Sequence, residues 1–178
     1  MPFPRTSLAW GQKLTQAERI AVFDLADWLD VQPDNLMACM AWESAETFSP
    51  KVKNAAGSGA VGLIQFMPAT ARALGTTTTA LAAMTVIEQL AYVKRYFQPY
   101  RGRLRTLSDL YMAILWPRGI GKAESYVLWT KAKNPVTYGQ NAGIDVNKDG
   151  VITKAEAAAK VNAKLVRGML PQFRWSAR

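Results

Sequence analysis

The chain contains no histidine among its 178 residues. That absence excludes Ser-His-Asp and Cys-His nucleophilic catalysis, and with them the common histidine-ligated zinc hydrolases. Any bond-breaking chemistry has to run on carboxylates, hydroxyls and amides. The single cysteine, Cys39, cannot close an internal disulfide, which fits folding in a reducing cytoplasm. It reads as a buried, inert thiol. No apolar run reaches the roughly 18 residues of a membrane span, and the N-terminus MPFPRTSLAWGQK lacks the apolar stretch of a secretory leader. Strand-type alternation longer than a hairpin arm and internal repeats are missing too. Acidic residues are in the minority, 13 Asp+Glu against 22 Lys+Arg, for a net charge of +9. Such a surface favours polyanions: nucleic acid, anionic lipid or an acidic bacterial wall. Arg101-Gly102-Arg103-Leu104-Arg105 is the only dense basic cluster. No nucleic-acid-binding motif accompanies it, so nucleic acid is not an expected partner.

What is present points to helices. Apolar residues make up 49%, enough for one globular domain over 1–178 with a sizeable core. Thr15-Gln16-Ala17-Glu18 is a capping box that opens a helix to about Asp30, with Ile20, Phe23, Ala26 and Leu29 facing inward. A core helix is expected over Gln32–Glu46, a short one over Pro68–Leu74 before Gly75, and one from the Thr85–Glu88 capping box to about Tyr100. Thr106 caps another, ending at Trp116-Pro117. Thr76–Thr79 reads as a polar connector. The fold class is therefore all-α, with at most a small hairpin around Ala55–Ile64.

The chain is organised around Leu36–Gln65. Seven apolar residues, Leu36 to Trp42, run straight into Glu43. A helix that is apolar all round is a buried one, and Pro33-Asp34-Asn35 suits its N-terminus. Glu43 then sits at the helix C-terminal end, where the macrodipole and poor solvation both raise a carboxyl pKa. A general acid working near neutral pH needs that shift. Beyond Pro50 a small, glycine-bearing loop, Asn54–Ala60, leads into Val61-Gly62-Leu63-Ile64-Gln65 and returns the chain past the glutamate.

Glu43-Ser44, then Gly62-Leu63-Ile64-Gln65, then Met67-Pro68-Ala69-Thr70-Ala71 resembles the soluble lytic transglycosylases, peptidoglycan-cleaving enzymes of lysozyme-like, mostly helical fold. The resemblance is tight over Ala41–Gly75 and looser to about Trp129. It implies peptidoglycan as substrate and Glu43 as the single catalytic carboxylate. It further implies that Ser44 orients Glu43, and that Gln65 with the Gly62–Ile64 backbone, Leu63 included, holds N-acetyl groups of the glycan. In that family the glutamate protonates the oxygen between N-acetylmuramic acid and N-acetylglucosamine, then deprotonates the muramic 6-hydroxyl, closing a 1,6-anhydro ring without water. A third family motif, Ala-Tyr-Asn-Ala-Gly, has no match where the chain reads Tyr111-Met112-Ala113-Ile114-Leu115-Trp116-Pro117. Tyr111, Tyr126 and Tyr138 are the candidates for the tyrosine that bonds the glutamate, and hydrolysis of the same bond is the alternative outcome. Glu46 lies one turn on from Glu43 and cannot flank a sugar from the opposite face. Asp109 and Glu88 occupy capping positions. Trp116 and Trp129 are candidates for lining a sugar groove or for the core.

A second constellation lies at Asp145–Glu156. Asp145, Asn147 and Asp149 stand at positions 1, 3 and 5 of a twelve-residue calcium loop, Gly150 at the turn, Val151 at 7, Thr153 at 9 and Glu156 at 12. Thr153 and Glu156 also form a capping box for a helix over Lys154–Leu170. The preceding 134–143 stretch, with one proline and two glycines, is a poor helix. A lone loop of this kind has no partner to open against, so a structural calcium ion is expected, one that supports the last helix and not the Glu43 groove. The resemblance and the missing leader together suggest a monomeric bacteriophage endolysin or virion-associated lysin, made in the host cytoplasm, acting on the cell wall and drawn to the anionic envelope by charge. A non-catalytic, calcium-stabilised wall-binding module is the reading from a different class.

Overall fold

The computed structural model describes residues 2–55 and 57–177. Eight α-helices are found among them, with four short strands in two separate two-stranded ribbons. The all-α expectation holds.

The centre is α2 (Pro33–Glu43). Pro33 occupies its first turn, and every residue from Leu36 to Ala41 is at most 1% exposed. An all-round apolar helix can be satisfied only by neighbours on every side. Those neighbours are α1 (Gln16–Leu29), α6 (Leu107–Leu115) and α8 (Lys154–Gly168). Helix α5 (Val86–Phe97) packs on α1. The capping boxes at Thr15/Glu18, Thr85/Glu88 and Thr153/Glu156 all form, which fixes where α1, α5 and α8 begin. On α1, Phe23, Ala26 and Leu29 are buried as expected, whereas Ile20 is 45% exposed and belongs to the outer face.

Helix α2 ends at Glu43, three residues short of the expected Glu46. Ser44 makes the stop: its Oγ donates to the Met40 carbonyl at 2.6 Å and accepts from the Phe48 N–H at 3.0 Å. Ala45, Glu46 and Phe48 then take left-handed backbone angles. Such angles are unfavourable for non-glycine residues, and here Glu46 is held by ion pairs to Lys164 and Arg167 of α8. The expected hairpin around Ala55–Ile64 is reduced to isolated bridges, Lys53 with Val61 and Val61 with Phe66. Ala56 within it lies outside the described residues.

Two further segments differ from the sequence expectation. Part of the Thr76–Thr79 connector is helical: Thr77 caps α4 (Thr78–Ala83), which follows α3 (Pro68–Ala73). The stretch before the calcium-type loop forms a helix, α7 (Pro135–Asn141), with Pro135 in its first turn. Its approach is set by a turn in which the Asn134 N–H donates to the Thr130 carbonyl and Asn134 Oδ1 accepts from the Thr130 N–H. The loop's own strand, β3 (Val151–Thr153), pairs antiparallel with β2 (Val127–Thr130), Ile152 opposite Trp129. Separately, β1 (Ser7–Leu8) pairs with β4 (Trp175–Ser176).

Candidate active site

Glu43, half-buried at the end of α2, opens into a cavity of about 680 Å³. Trp42 lies beside it; Asn54, Ser58 and Gln65 come from the glycine-bearing loop; Tyr111 and Ile114 come from α6. Lys160 of α8 completes one wall. The wall that sequence reasoning missed is built by Gln140 and Asn141 of α7 and by Gly143 and Ile144 just after it. Among the described residues lining the cavity, Glu43 is the only carboxylate.

Its environment suits an acid. Burial pushes the Glu43 carboxyl up to about 8, and among the described residues no hydrogen bond or ion pair offsets that effect. Other nearby carboxylates are engaged elsewhere. Glu46 faces Lys164 and Arg167, and although burial alone would raise its pKa, the Lys164 hydrogen bond brings it below the usual range. Asp109, expected as a capping residue, joins the cap at Thr106, but its carboxylate is engaged chiefly by other partners. Its N–H donates to Thr106 Oγ1, while its carboxylate accepts from Lys154 Nζ at 2.6 Å and from the Gly121 N–H at 2.7 Å. Burial raises the Asp109 pKa, but Lys154 and Gly121 together outweigh it and hold the group ionised. Glu88 caps α5, as expected.

The remaining sequence candidates sort by position. Ser44 is fully buried and its hydroxyl is spent on Met40 and Phe48. It therefore sets the backbone that carries Glu43 and does not reach a sugar. Gly62 and Leu63 are buried as well. The Gly62 N–H donates to the Val52 carbonyl and the Leu63 N–H to Gln89 Oε1 at 2.7 Å, so neither amide is free for the glycan. Gln65 does reach the cavity. Its Nε2 donates to the carbonyls of Val52 and Gly62, and its backbone sits at φ 52°, strained for a non-glycine residue.

Of the three tyrosines, Tyr111 alone lines the cavity, with its hydroxyl accepting from Trp42 Nε1–H at 3.0 Å. Burial first, and then the Glu43 charge, raise its phenol above the normal range. Tyr138 instead donates to Asp145 Oδ2 at 2.6 Å. Tyr126 lies under the Lys122 ammonium, away from the cavity. Trp116 and Trp129 stack edge to face with centroids 5.3 Å apart and do not line the cavity. Cys39 is fully buried, and burial raises its thiol pKa well above normal, so it is inert.

Sequence reasoning missed Gln89, which organises the glycine loop from behind. It is fully buried in α5; besides Leu63, it bonds the carbonyls of Leu81 and Pro50. A Cβ on Gly62 would stand 2.3 Å from Gln89 Oε1, and Gly62 has φ +86°. Only glycine fits there. The signal was a polar residue in the inward 89–93–97 row of an otherwise apolar helix face.

The 145–156 loop can be tested for a cation from its own atoms. Asp145 is 6% exposed, and its Oδ2 accepts from Tyr138 and from the Gly150 N–H at 3.0 Å. Its Oδ1 is buried without a partner, as is Glu156 Oε1, whereas Glu156 Oε2 completes the α8 cap. Two buried carboxylate oxygens left bare on one loop are what a bound cation would satisfy. The carboxylates are not preassembled into a cage: among the described residues no three acidic side chains converge. Asp149 accepts from Asn147 and from the Val151 N–H. These donors fit a hard cation that gathers its last ligands on binding. The loop's position corrects the sequence expectation. Ile144, immediately before Asp145, lines the Glu43 cavity, so the loop adjoins the groove as well as the last helix.

Residues 22–98 match the family model described as the Transglycosylase SLT domain. That segment is an SLT transglycosylase domain. That makes its fold lysozyme-like and its substrate class peptidoglycan. Among curated proteins, none matches the chain. The SLT match begins within α1 and closes at the end of α5, enclosing Glu43, the Gly62–Gln65 turn and Gln89. Tyr111, α7 and the 145–156 loop lie beyond it, so half of the cavity wall is built outside the SLT segment.

Proposed function

We propose that this SLT protein is a lytic transglycosylase that cleaves the β-1,4 bond between N-acetylmuramic acid and N-acetylglucosamine with Glu43 as its only acid–base group. The observation that carries the proposal is a lone carboxyl in a glycan-sized cavity, kept protonated at neutral pH by burial. Glu43 gives its proton to the glycosidic oxygen as the C1–O bond breaks. The muramic 6-hydroxyl oxygen then bonds to C1, and its proton returns to the Glu43 carboxylate. Atoms and charge balance without water, so no second carboxylate is required. Trp42 and Tyr111 support the wall beside Glu43 through their shared hydrogen bond, and Gln65 shapes the opposite lip.

The same proposal gives the 145–156 loop a calcium ion. Asp145, Asn147, Asp149 and Glu156 would hold it by side-chain oxygens, Val151 by its carbonyl, and Thr153 directly or through water. The ion supplies positive charge to the two bare carboxylate oxygens and takes no part in bond cleavage.

The test is Glu43→Gln. The amide keeps the shape but cannot exchange the proton, and general acid–base catalysis contributes about 10²–10⁴-fold. Lysis of purified peptidoglycan should fall at least a hundredfold while the variant stays folded. Retention of more than a tenth of the activity would remove Glu43 from the mechanism.

A further inference from the structure

We infer that cation occupancy of the 145–156 loop sets the position of the α7 wall of the glycan groove, making the ion a control on substrate affinity. This rests on the calcium-loop assignment above. Gln140, Asn141, Gly143 and Ile144 line the cavity that holds Glu43, and they belong to α7 and the turn that runs directly into Asp145. Helix α7 buries none of its own residues, and its apolar hold on the core is the half-buried Tyr138 ring with Ile144 just beyond the helix. A segment with so little buried apolar contact opens at low free energy unless something else pins it.

Two polar anchors do the pinning. One is the Asn134–Thr130 turn at the start of the helix. The other is the Tyr138 hydroxyl on Asp145 Oδ2, the same carboxylate that also holds the Gly150 N–H. The second oxygen of that carboxylate, Oδ1, is buried and bare. A cation bound there would fix Asp145, and through Tyr138 would fix α7. Without it, the carboxylate has one tethered and one unsatisfied oxygen, and the wall it anchors loosens.

The facing side of the groove carries one ligand of the ion, Glu156, in the first turn of α8, but has anchors of its own. Helix α8 brings Lys160 to the cavity but is fixed by its own packing, with Ala157, Ala158 and Val161 buried and with Lys154 Nζ bonded to Asp109 of α6. Removing the cation should therefore weaken glycan binding while leaving the Glu43 setting intact. The kinetic signature is a higher KM with kcat preserved, since binding and not the acid is affected.

The experiment measures calcium uptake, and the affinity of Glu43→Gln protein for soluble disaccharide-tetrapeptide oligomers, by calorimetry with and without calcium. The expected result is calcium uptake together with glycan binding at least about five-fold tighter in the loaded protein, the lower end of ordinary coupling between two sites. Adding Tyr138→Phe to that protein removes the link but no metal ligand, so calcium uptake should persist while glycan affinity falls to the calcium-free value and no longer responds to the ion. Hydrogen exchange should show 135–144 losing protection on chelation while 36–43 keeps it. Calcium uptake with unchanged glycan affinity would overturn the coupling alone, as would a Tyr138→Phe protein whose affinity still follows calcium. No calcium uptake would overturn the metal site and the coupling with it. No glycan binding by the loaded protein would overturn the groove assignment.

Discussion

A carboxyl that ionises only near pH 8 destabilises the folded chain wherever the unfolded chain has already lost the proton. Glu43 has an ordinary value of 4.5 and a folded value of about 8. Between those limits the folded state binds more protons than the unfolded state, so stability falls as pH rises, on the order of 1.4 kcal/mol per pH unit. Glu43→Gln carries no such slope. The variant should melt higher than the parent by a margin that widens from about pH 5 to pH 8 and then stays constant; thermal melts of both proteins across that range check it, and parallel curves would refute the buried-acid assignment. The rate shares the same group. If, as proposed, the protonated form starts the reaction, turnover should decline above about pH 8, on the alkaline side. At this scale Glu43 was legible because seven apolar residues lead into it and a helix apolar on all sides must be buried. Gln89 was not, because its role comes from a loop that approaches it from 26 residues away. Replacing Gly62 by Ala should force the Gln89 carboxamide aside and strain the turn, with a loss on the order of 1–3 kcal/mol and a larger fractional loss of wall lysis; a variant with wild-type melting and activity would show that the close approach is unimportant.

Elements were legible wherever their signal was local. Three capping boxes and the prolines in the first turns of α2 and α3 placed most helix starts. Helices α4 and α7 were not legible. Each is short, six and seven residues, too short for local propensity to specify. The early stop of α2 likewise depends on Ser44 and on Glu46 reaching α8, contacts that no periodicity encodes. The pair between Lys154 and Asp109, at 2.6 Å and almost fully buried, ties the start of α8 to α6. Removing one partner of such a pair leaves the other charge stranded, so Lys154→Met should destabilise the fold by about 3–5 kcal/mol. The double variant with Asp109→Asn should recover much of that loss in chemical denaturation; a double variant no better than the single one would assign the loss to packing. Glu156→Ala should remove half of the α8 cap, about 1 kcal/mol, and abolish the response of melting temperature to calcium. A calcium shift that survives the substitution would clear Glu156 of any ligand role.

At the scale of the whole molecule, the proposal assigns charge and calcium to different steps. A net charge of +9 would draw the protein to an anionic wall by long-range attraction. Lysis of whole wall should weaken with salt, whereas turnover of soluble uncharged glycan should barely change; equal salt dependence on both would remove steering. Calcium should raise the melting temperature, by roughly 2.7 kcal/mol of stability at a hundredfold excess over its Kd, and magnesium should do so poorly because it demands a tighter shell. The helical class was legible in the sequence, and so were the two candidate sites, Glu43 and the 145–156 loop. That they adjoin one cavity is a fact of folding: about a hundred residues separate them, and only the packing of α2 against α8 and the return of α7 bring them together. The deciding measurement is mass spectrometry of the fragments released from purified peptidoglycan. A single acid–base carboxyl acting without water predicts muropeptides ending in a 1,6-anhydro ring, each lighter by one water than a hydrolytic fragment. Reducing ends alone would contradict it, since water would then be the nucleophile and a one-carboxylate transglycosylase would be the wrong description of this site.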